Sequence, residues 1–208
     1  MIALIDYKAG NLTSVKKALA TIGAEVFVPD RPEDLENAAG IIVPGVGHFG
    51  ATRALDQAWI DAILARVGEG RPLFGICLGM QWLFEGSEEA PELAGLGLLA
   101  GRCYRLGATP QSTIHNPQSA IKVPHVGWNS IAIGREASIV DAVPNHSQVY
   151  FPHSYVAPVT GDTVAVTEHG EPFAAVVQRG HIGGVQFHPE KSGDVGLQIL
   201  RNFVELAG

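Results

Sequence analysis

The first half of the chain alternates short apolar runs with segments in which apolar side chains recur at the spacing of a helix. The recurring segments predict three helices: one from Leu12 behind a capping Asn11, one across about residues 51–67, and one that begins at Leu78. The uninterrupted apolar runs are typical of strands buried in a parallel sheet, and they cover residues 2–7, 24–29, 40–44 and 72–77. Strands that alternate with helices predict a mostly parallel central sheet flanked by helices.

The second half has a different pattern, in which apolar and polar residues alternate within short runs separated by turn residues. Such alternation favours mixed or antiparallel strands. A last helix is predicted from about Asp194 to Leu206, and the polar, proline-bearing stretch 106–124 is predicted to be the most mobile loop. Because no linker or repeat interrupts the pattern, residues 1–208 are predicted to form a single α/β domain.

Composition and charge exclude several classes of protein. The 208 residues are 46% hydrophobic and 17% charged, which is typical of a globular protein. Lys and Arg number 14 against 21 Asp and Glu, a formal net charge of −7, so we expect no nucleic-acid partner. No apolar stretch approaches the roughly 18 residues of a membrane span, and Asp6 comes too early for a signal peptide. The two cysteines do not make a disulfide framework, so we expect a cytoplasmic protein.

The loop after the third predicted strand carries glycines at positions 45, 47 and 50, the spacing of a dinucleotide-binding turn. Such a site needs an acidic residue at the end of the following strand to hold the ribose. Here the following strand ends at Cys77 instead, which disfavours a nucleotide site. Gly47 and Cys77 should nevertheless lie together, because ligands bind at the carboxyl edge of a parallel sheet.

Cys77 has the sequence context of a nucleophile. Gly75 and Gly79 stand two residues on either side of it, which is the spacing of a nucleophile elbow between a strand and a helix. A cysteine there would lie at a helix N-terminus, where unpaired N–H groups favour the thiolate. The N–H of Leu78 would form one arm of an oxyanion hole. The alternative is an inert cysteine buried after a core strand.

A thiolate nucleophile needs a base, and His188 has the best context of the eight histidines. It ends a predicted strand, and Pro189 biases it toward extended geometry. In an extended chain Glu190 would face the same side and fix the tautomer of the ring, so that Cys77, His188 and Glu190 form a triad. The alternatives are a solvent-exposed histidine beside an unrelated acid, and a zinc site, for which no ligand pattern of the usual spacing is present.

Three motifs, GICLGMQ, PGVG and HPE, resemble those of the class I, triad-type glutamine amidotransferases, and the resemblance extends over nearly the whole chain. It implies that Cys77 attacks the side-chain amide of glutamine, that His188 transfers protons and that Glu190 orients His188. It implies neither a metal nor an organic cofactor. The residues it places at the oxyanion hole and around bound L-glutamine are Val46, Gly47, Leu78, Gln81, Ser154 and Tyr155.

Three further stretches, DYKAGNL, VPHVGWN and FHPEKS, resemble the glutaminase subunits of imidazole glycerol phosphate synthases, which serve histidine biosynthesis. This implies a heterodimer with a (β/α)8-barrel cyclase subunit, to which ammonia passes, and an interface that includes Asn11, Trp128 and Lys191. Lys8 and Val156 depart from the glycine and the aromatic residue common in these proteins. The alternatives are an amidotransferase subunit of another pathway, a stand-alone γ-glutamyl hydrolase and a non-catalytic regulatory module.

Overall fold

The first half of the chain forms a parallel sheet, as its pattern predicts. A computed structural model describes residues 1–107 and 121–208. The strands of the first half pair in parallel in the spatial order β2-β1-β3-β4, with bounds β1 (Ile2–Leu4), β2 (Val26–Phe27), β3 (Gly40–Val43) and β4 (Leu73–Ile76). The helices between and after them are α1 (Leu12–Thr21), α2 (Gln57–Gly68) and α3 (Leu78–Trp82).

The second half contains antiparallel pairs and ends in helix α4 (Gly193–Leu206). Its strands are β5 (Gly86–Ser87), β6 (Arg102–Arg105), β7 (His125–Ser130), β8 (Ala132–Ile133), β9 (Gln148–His153), β10 (Tyr155–Val156), β11 (Thr163–Glu168), β12 (Pro172–Arg179) and β13 (Ile182–Val185). The main sheet continues as β4-β13-β12-β11-β8, while β7 with β9 and β10 with β6 and β5 form two small sheets beside it.

Strand β13 connects the two halves and positions the site. It pairs in parallel with β4, with Val185 opposite Ile76, and antiparallel with β12 on its other side. Because the ends of parallel neighbours meet at one edge of the sheet, the residues that follow Ile76 and Val185 lie side by side. A segment near the end of the chain is thereby brought next to the elbow after β4.

Helices cover both faces of the main sheet. On one face α1 and α4 pack against the sheet through Leu19, Leu200 and Phe203, and on the other α2 contributes Ile63 and Val67. A fully buried side chain of this size contributes about 1.5–3 kcal/mol of burial free energy. In the part of the chain that the structure describes, no helix is long and apolar enough to span a membrane.

The start of one helix differs from its prediction. The helix expected across residues 51–67 begins at Gln57, because the Asp56 carboxylate accepts the N–H groups of Ala58 and Trp59 and caps α2 there. The preceding residues form a separate 3₁₀ turn, Phe49–Ala54. The cap predicted at Asn11 is confirmed, since its Oδ1 accepts the Ser14 N–H at 3.2 Å. Most of the loop predicted at 106–124 lies outside the described residues.

Candidate active site

Cys77 occupies a strained turn between β4 and α3. Its φ of 52° lies in the left-handed region, which side chains other than glycine rarely adopt. Its N–H donates to the carbonyl of Val185 at 2.7 Å, so β13 fixes the turn from the neighbouring position. A Cβ at Gly79 would overlap the carbonyl of Val43, and one at Gly75 would lie 2.5 Å from the Gly79 carbonyl carbon. Both glycines are therefore required by the close approach of strand and helix, as an elbow demands.

His188 and Glu190 follow β13 at the same edge of the sheet. His188 Nδ1 lies 2.6 Å from Glu190 Oε1, and the two side chains are 2% and 1% exposed, which excludes a solvent-exposed histidine. The prediction that Glu190 lies in an extended segment is wrong, since it belongs to a 3₁₀ turn, Pro189–Lys191. The turn is stabilised by Ser192, whose hydroxyl donates to the His188 carbonyl at 2.6 Å.

The imidazole of His188 is coupled to the cysteine. Burial alone would lower the pKa of His188, but its interaction with the Cys77 thiol and its hydrogen bond to Glu190 outweigh burial and raise the pKa to about 9. Because Glu190 occupies Nδ1, Nε2 is the nitrogen left to exchange a proton with the sulfur. The arrangement therefore provides an oriented imidazole that can serve as the base for a cysteine nucleophile.

Cys77 faces a cavity of about 300 Å³ at the carboxyl edge of the sheet. Six of the residues that the sequence predicts for the site line this cavity: Gly47, Cys77, Leu78, Gln81, Ser154 and Tyr155. As the first residue of α3, Leu78 has an N–H that no carbonyl within the helix can accept. The cavity is also lined by Glu89, which the sequence analysis did not identify because no local motif distinguishes it from neighbouring acidic residues.

The buried amide of Gln81 links the cavity wall to the nucleophile. Its Nε2 donates to the Tyr155 carbonyl at 2.8 Å and to Gln186 Oε1 at 3.0 Å, so only its own carbonyl oxygen remains for a ligand. Gln186 Nε2 in turn lies 3.5 Å from Cys77 Sγ. The sequence analysis missed Gln186, although its position two residues before His188 was a usable signal.

In the loop of residues 44–47, the predicted oxyanion donor does not face the cavity but is engaged in another hydrogen bond. The N–H of Val46, predicted as an oxyanion donor, donates to the carbonyl of Ala9 at 3.3 Å. Val46 is exposed and does not belong to the cavity lining, whereas Gly47 does, with a φ of 100°. Of the two predicted oxyanion donors, Leu78 has its N–H available and Val46 has its N–H engaged.

Lys8 stabilises the turn that presents Ala9 to this loop. Its φ of 63° lies in the left-handed region, where a glycine would be unstrained. The Asp6 carboxylate compensates by accepting the backbone N–H of Lys8 at 3.0 Å and its ammonium at 2.7 Å, and the ammonium contact lowers the pKa of Asp6. The departure from glycine is thus accommodated by a local ion pair.

The three residues predicted at a partner interface all lie at the surface. Trp128 is 58% exposed on β7 and meets the ring of Tyr150 edge to face. The ammonium of Lys191 lies 5.8 Å from the centre of that same Tyr150 ring. Trp128, Tyr150 and Lys191 therefore form one patch, whereas Asn11 is exposed at the start of α1 and its side chain serves as the helix cap.

The geometry described here agrees with comparisons to known proteins. Residues 3–206 match the family model "Glutamine amidotransferase class-I". The chain belongs to this glutamine amidotransferase family. Within the described residues, no group of three or more His, Cys, Asp and Glu side chains is arranged to hold a metal ion.

Relatives in this amidotransferase family match the chain along nearly its full length. "Imidazole glycerol phosphate synthase subunit HisH" of Moorella thermoacetica is 46% identical and covers 99% of this chain and 94% of the relative. The protein of the same name from Methanothermobacter thermautotrophicus is 40% identical, with coverages of 99% and 98%.

Two solved structures share the fold at low sequence identity. A crystal structure of a glutamine amidotransferase matches with a TM-score of 0.75 at 23% identity, over 100% of both chains. The structure of PurLQS from Thermotoga maritima matches with a TM-score of 0.72 at 18% identity, over 98% of this chain and 97% of that one. The predicted α/β architecture, with its mostly parallel central sheet, is therefore confirmed.

Proposed function

We propose that residues 1–208 form a single glutaminase domain, the cytoplasmic subunit of an imidazole glycerol phosphate synthase. It hydrolyses L-glutamine to glutamate and passes ammonia to a cyclase subunit. The observation that carries the proposal is the elbow cysteine Cys77 in the cavity lining, next to the strand end that holds the buried His188–Glu190 pair, with Nδ1 of His188 2.6 Å from Glu190. The full-length similarity to proteins named as HisH subunits supports the choice of pathway.

The reaction proceeds through a thioester. His188 takes the proton of the Cys77 thiol, and the sulfur attacks the side-chain amide carbon of glutamine, moving the carbonyl electron pair onto oxygen. His188 returns the proton to the amide nitrogen as the carbon–nitrogen bond breaks and ammonia leaves. Water, deprotonated by His188, then attacks the γ-glutamyl thioester, and the sulfur departs to give glutamate. Glu190 stabilises the imidazolium in both halves of the reaction.

The developing oxyanion needs donors on one side of the scissile carbonyl. Leu78 supplies one through its N–H at the start of α3. The second donor is the N–H of Val46, which must leave the carbonyl of Ala9 to serve. Rotation of the peptide between Gly45 and Val46 would turn that N–H by changing ψ of Gly45 and φ of Val46, and Gly45, which has no side chain, tolerates the change. A missing donor costs about 10²–10³ in rate.

The cavity offers complementary groups for the rest of glutamine. The carboxylate of Glu89 is an acceptor for the α-ammonium group, and the remaining oxygen of Gln81 is a second acceptor on the same wall. Ser154 and Tyr155 line the cavity beside Gln81, where we assign the α-carboxylate to hydroxyl and backbone donors. Gly47 closes the cavity and, having no side chain, leaves room for the substrate.

The partner is a cyclase subunit, which we propose to be a (β/α)8 barrel that forms a heterodimer with this chain. Val126 and Trp128 are each 58% exposed on β7. Two large exposed apolar side chains so close together are typical of a protein–protein interface. Val126 also lines the mouth of the cavity, so a partner covering it would receive ammonia directly. Lys191, beside Glu190, adds a positive charge to the same surface.

The test supplies a purified cyclase subunit with its nucleotide substrate and either glutamine or ammonia as the nitrogen source. We expect imidazole glycerol phosphate to form from ammonia without this chain, and from glutamine only when the chain is present. The Cys77→Ala variant should remove the glutamine-dependent reaction and leave the ammonia-dependent one. Product formation from glutamine without the chain, or no stimulation by the chain, would contradict the proposal.

A further inference from the structure

We propose that Gln186 is a further residue of the active site, whose side-chain amide donates a hydrogen bond to the sulfur of Cys77, orients it and stabilises its thiolate. The inference deepens the proposed glutaminase function and rests on Cys77 being the nucleophile. It concerns a residue outside the triad, on the strand extension between β13 and His188. Neither the elbow motif nor the HPE motif contains it.

The position of Gln186 is fixed from several directions. The residue is fully buried, and its backbone N–H donates to the carbonyl of Ala175 on the neighbouring strand β12 at 2.9 Å. Its side-chain Nε2 lies 3.5 Å from Cys77 Sγ, within the range of an N–H···S hydrogen bond. A fully buried amide at this position has no solvent to turn toward, so its contacts determine its orientation.

The network also determines which end of the amide faces the sulfur. The carbonyl oxygen of Tyr155 can only accept, so the group of Gln81 that lies 2.8 Å from it must be the NH₂ end. That NH₂ also donates to Gln186 at 3.0 Å, so the Gln186 atom there must be its oxygen. The NH₂ end of Gln186 therefore faces Cys77, and the sulfur receives a donor rather than an acceptor.

This donor is chemically distinct from His188. The imidazole gains and loses a proton during the reaction, whereas an amide N–H stays in place and favours the anionic sulfur throughout. It also restricts the rotation of the Cys77 side chain, because the sulfur lies 3.5 Å from an amide that is itself fixed by Gln81. Through Gln81 and Tyr155, the same amide is joined to the wall of the cavity that the substrate contacts.

The test is the pH dependence of Cys77 alkylation by iodoacetamide, with the site of labelling identified by mass spectrometry. Gln186→Met keeps the length of the side chain and removes the donor. We expect its alkylation rate at neutral pH to fall about tenfold, and its rate profile to move to higher pH, since hydrogen bonding to a charged form favours that form. The turnover number for glutamine should fall by a similar factor, with a smaller change in KM.

The matched control is Gln178→Met, the same exchange at another buried glutamine, whose amide bonds to Ser138, Gly180 and Ile139 away from the cavity. It should lower the thermal midpoint of unfolding and leave Cys77 alkylation unchanged. If Gln186→Met does not fold, Gln186→Glu replaces it, because glutamate keeps both the shape and the oxygen that accepts from Gln81. At alkaline pH the ionised carboxylate of Gln186→Glu should repel the thiolate, so alkylation should be more than tenfold slower than in the wild-type protein.

Two results separate the inference from the proposed function. If the wild-type protein alkylates readily at Cys77 and the folded Gln186 variant matches Gln178→Met within twofold at every pH, the role of Gln186 is overturned while the triad stands. If Cys77 of the wild-type protein does not react at all, the proposed function fails, and this inference fails with it.

Discussion

The ends of β4 and β13 hold Cys77, His188 and Glu190 in a buried arrangement, whereas in the loop of residues 44–47 Val46 and Gly47 are exposed. The triad side is connected by short hydrogen bonds, including the one of 2.6 Å between His188 and Glu190. On the loop side, the predicted donor of Val46 bonds to Ala9 instead. The proposed base is thus already oriented by its acid, while one proposed oxyanion donor is engaged elsewhere.

This difference indicates where the activity of the protein is controlled. The buried His188 already has its hydrogen bond to Glu190, so the base is oriented before a substrate arrives. An oxyanion hole with a single donor raises the barrier to the tetrahedral intermediate. Because Val46 and Gly47 are exposed and the triad is buried, a partner protein can act on this end of the loop without disturbing the triad.

The largest effect is expected from removal of the nucleophile. Cys77→Ala should lower glutaminase activity by about 10⁴-fold or more, since no other side chain at the cavity is an activated nucleophile. Cys103→Ala is the matched control, because Cys103 is fully buried and burial raises the pKa of its thiol. Steady-state assays of glutamate release measure both variants. Near-normal turnover by Cys77→Ala would contradict the triad.

Substitutions of His188 and Glu190 should lower the activity by different factors. His188→Ala removes the group that carries the proton, whereas Glu190→Gln removes only the charge that orients it. We therefore expect kcat of His188→Ala to be about 10–10²-fold lower than kcat of Glu190→Gln. Assays of kcat with the partner present test this order. A reversed order would show that Glu190 has a more direct role than orienting the ring.

The loop is tested by Val46→Pro, which removes the backbone N–H. We expect the partner-stimulated rate of glutamine hydrolysis to fall about 10²–10³-fold, because the oxyanion loses a donor. Alkylation of Cys77 by iodoacetamide develops no oxyanion and should change less than twofold. Val46→Ala, which keeps the N–H, is the control and should hydrolyse glutamine almost normally. If the proline variant remains fully stimulated, Val46 is not a donor.

The pH dependence follows from the raised pKa of His188, which is about 9. Above that pH the imidazolium that protonates the leaving ammonia is lost, so kcat/KM should fall about tenfold per pH unit. The stability contributed by the protonated ring is fully present below its usual pKa of 6.5 and is lost as the pH rises through 9. Rate profiles from pH 6 to 10.5 check this, and a profile flat to the upper limit would refute it.

The smallest effect is expected at the surface patch. Lys191→Ala removes a cation that lies 5.8 Å from the centre of the Tyr150 ring, a contact of about 0.5–1 kcal/mol at an exposed site. We expect the partner concentration for half-maximal stimulation to rise about two- to fivefold, with basal activity unchanged. Arg71→Ala is the control, because it removes another exposed cation, at the other end of β4 from Cys77. An equal effect of both variants would exclude a specific role for Lys191.

The sequence was sufficient to predict the parts of the site that depend on neighbouring residues, but not those that depend on pairing between distant segments. The elbow at Cys77 was predictable because the need for Gly75 and Gly79 arises from contacts within one strand–helix turn. The position of β13 next to β4 depends on pairing between distant segments, which no local pattern encodes. The 3₁₀ turn at Glu190 was missed because a two-residue spacing was interpreted as extended.

The contacts that the sequence could not predict are individual hydrogen bonds between segments that are distant along the chain. The bond from Val46 to Ala9 joins two loops that are separated by a whole strand–helix unit. The contact of Gln186 with Cys77 likewise depends on how two strand ends meet. The resemblance to a family named the residues of the oxyanion loop, but the state of the loop is visible only in three dimensions.

The account is tested most directly by measuring two reactions of Cys77 in the same samples, with and without the cyclase subunit and its nucleotide ligand. The chain alone should be alkylated by iodoacetamide at a rate that the partner changes less than twofold, because the buried pairs His188–Glu190 and Gln186–Cys77 are already formed. Glutamine hydrolysis by the same chain should be slow alone and rise about 10²–10³-fold with the partner, because only hydrolysis needs the second oxyanion donor. Full hydrolytic activity of the isolated chain, or a parallel rise in alkylation, would contradict the account.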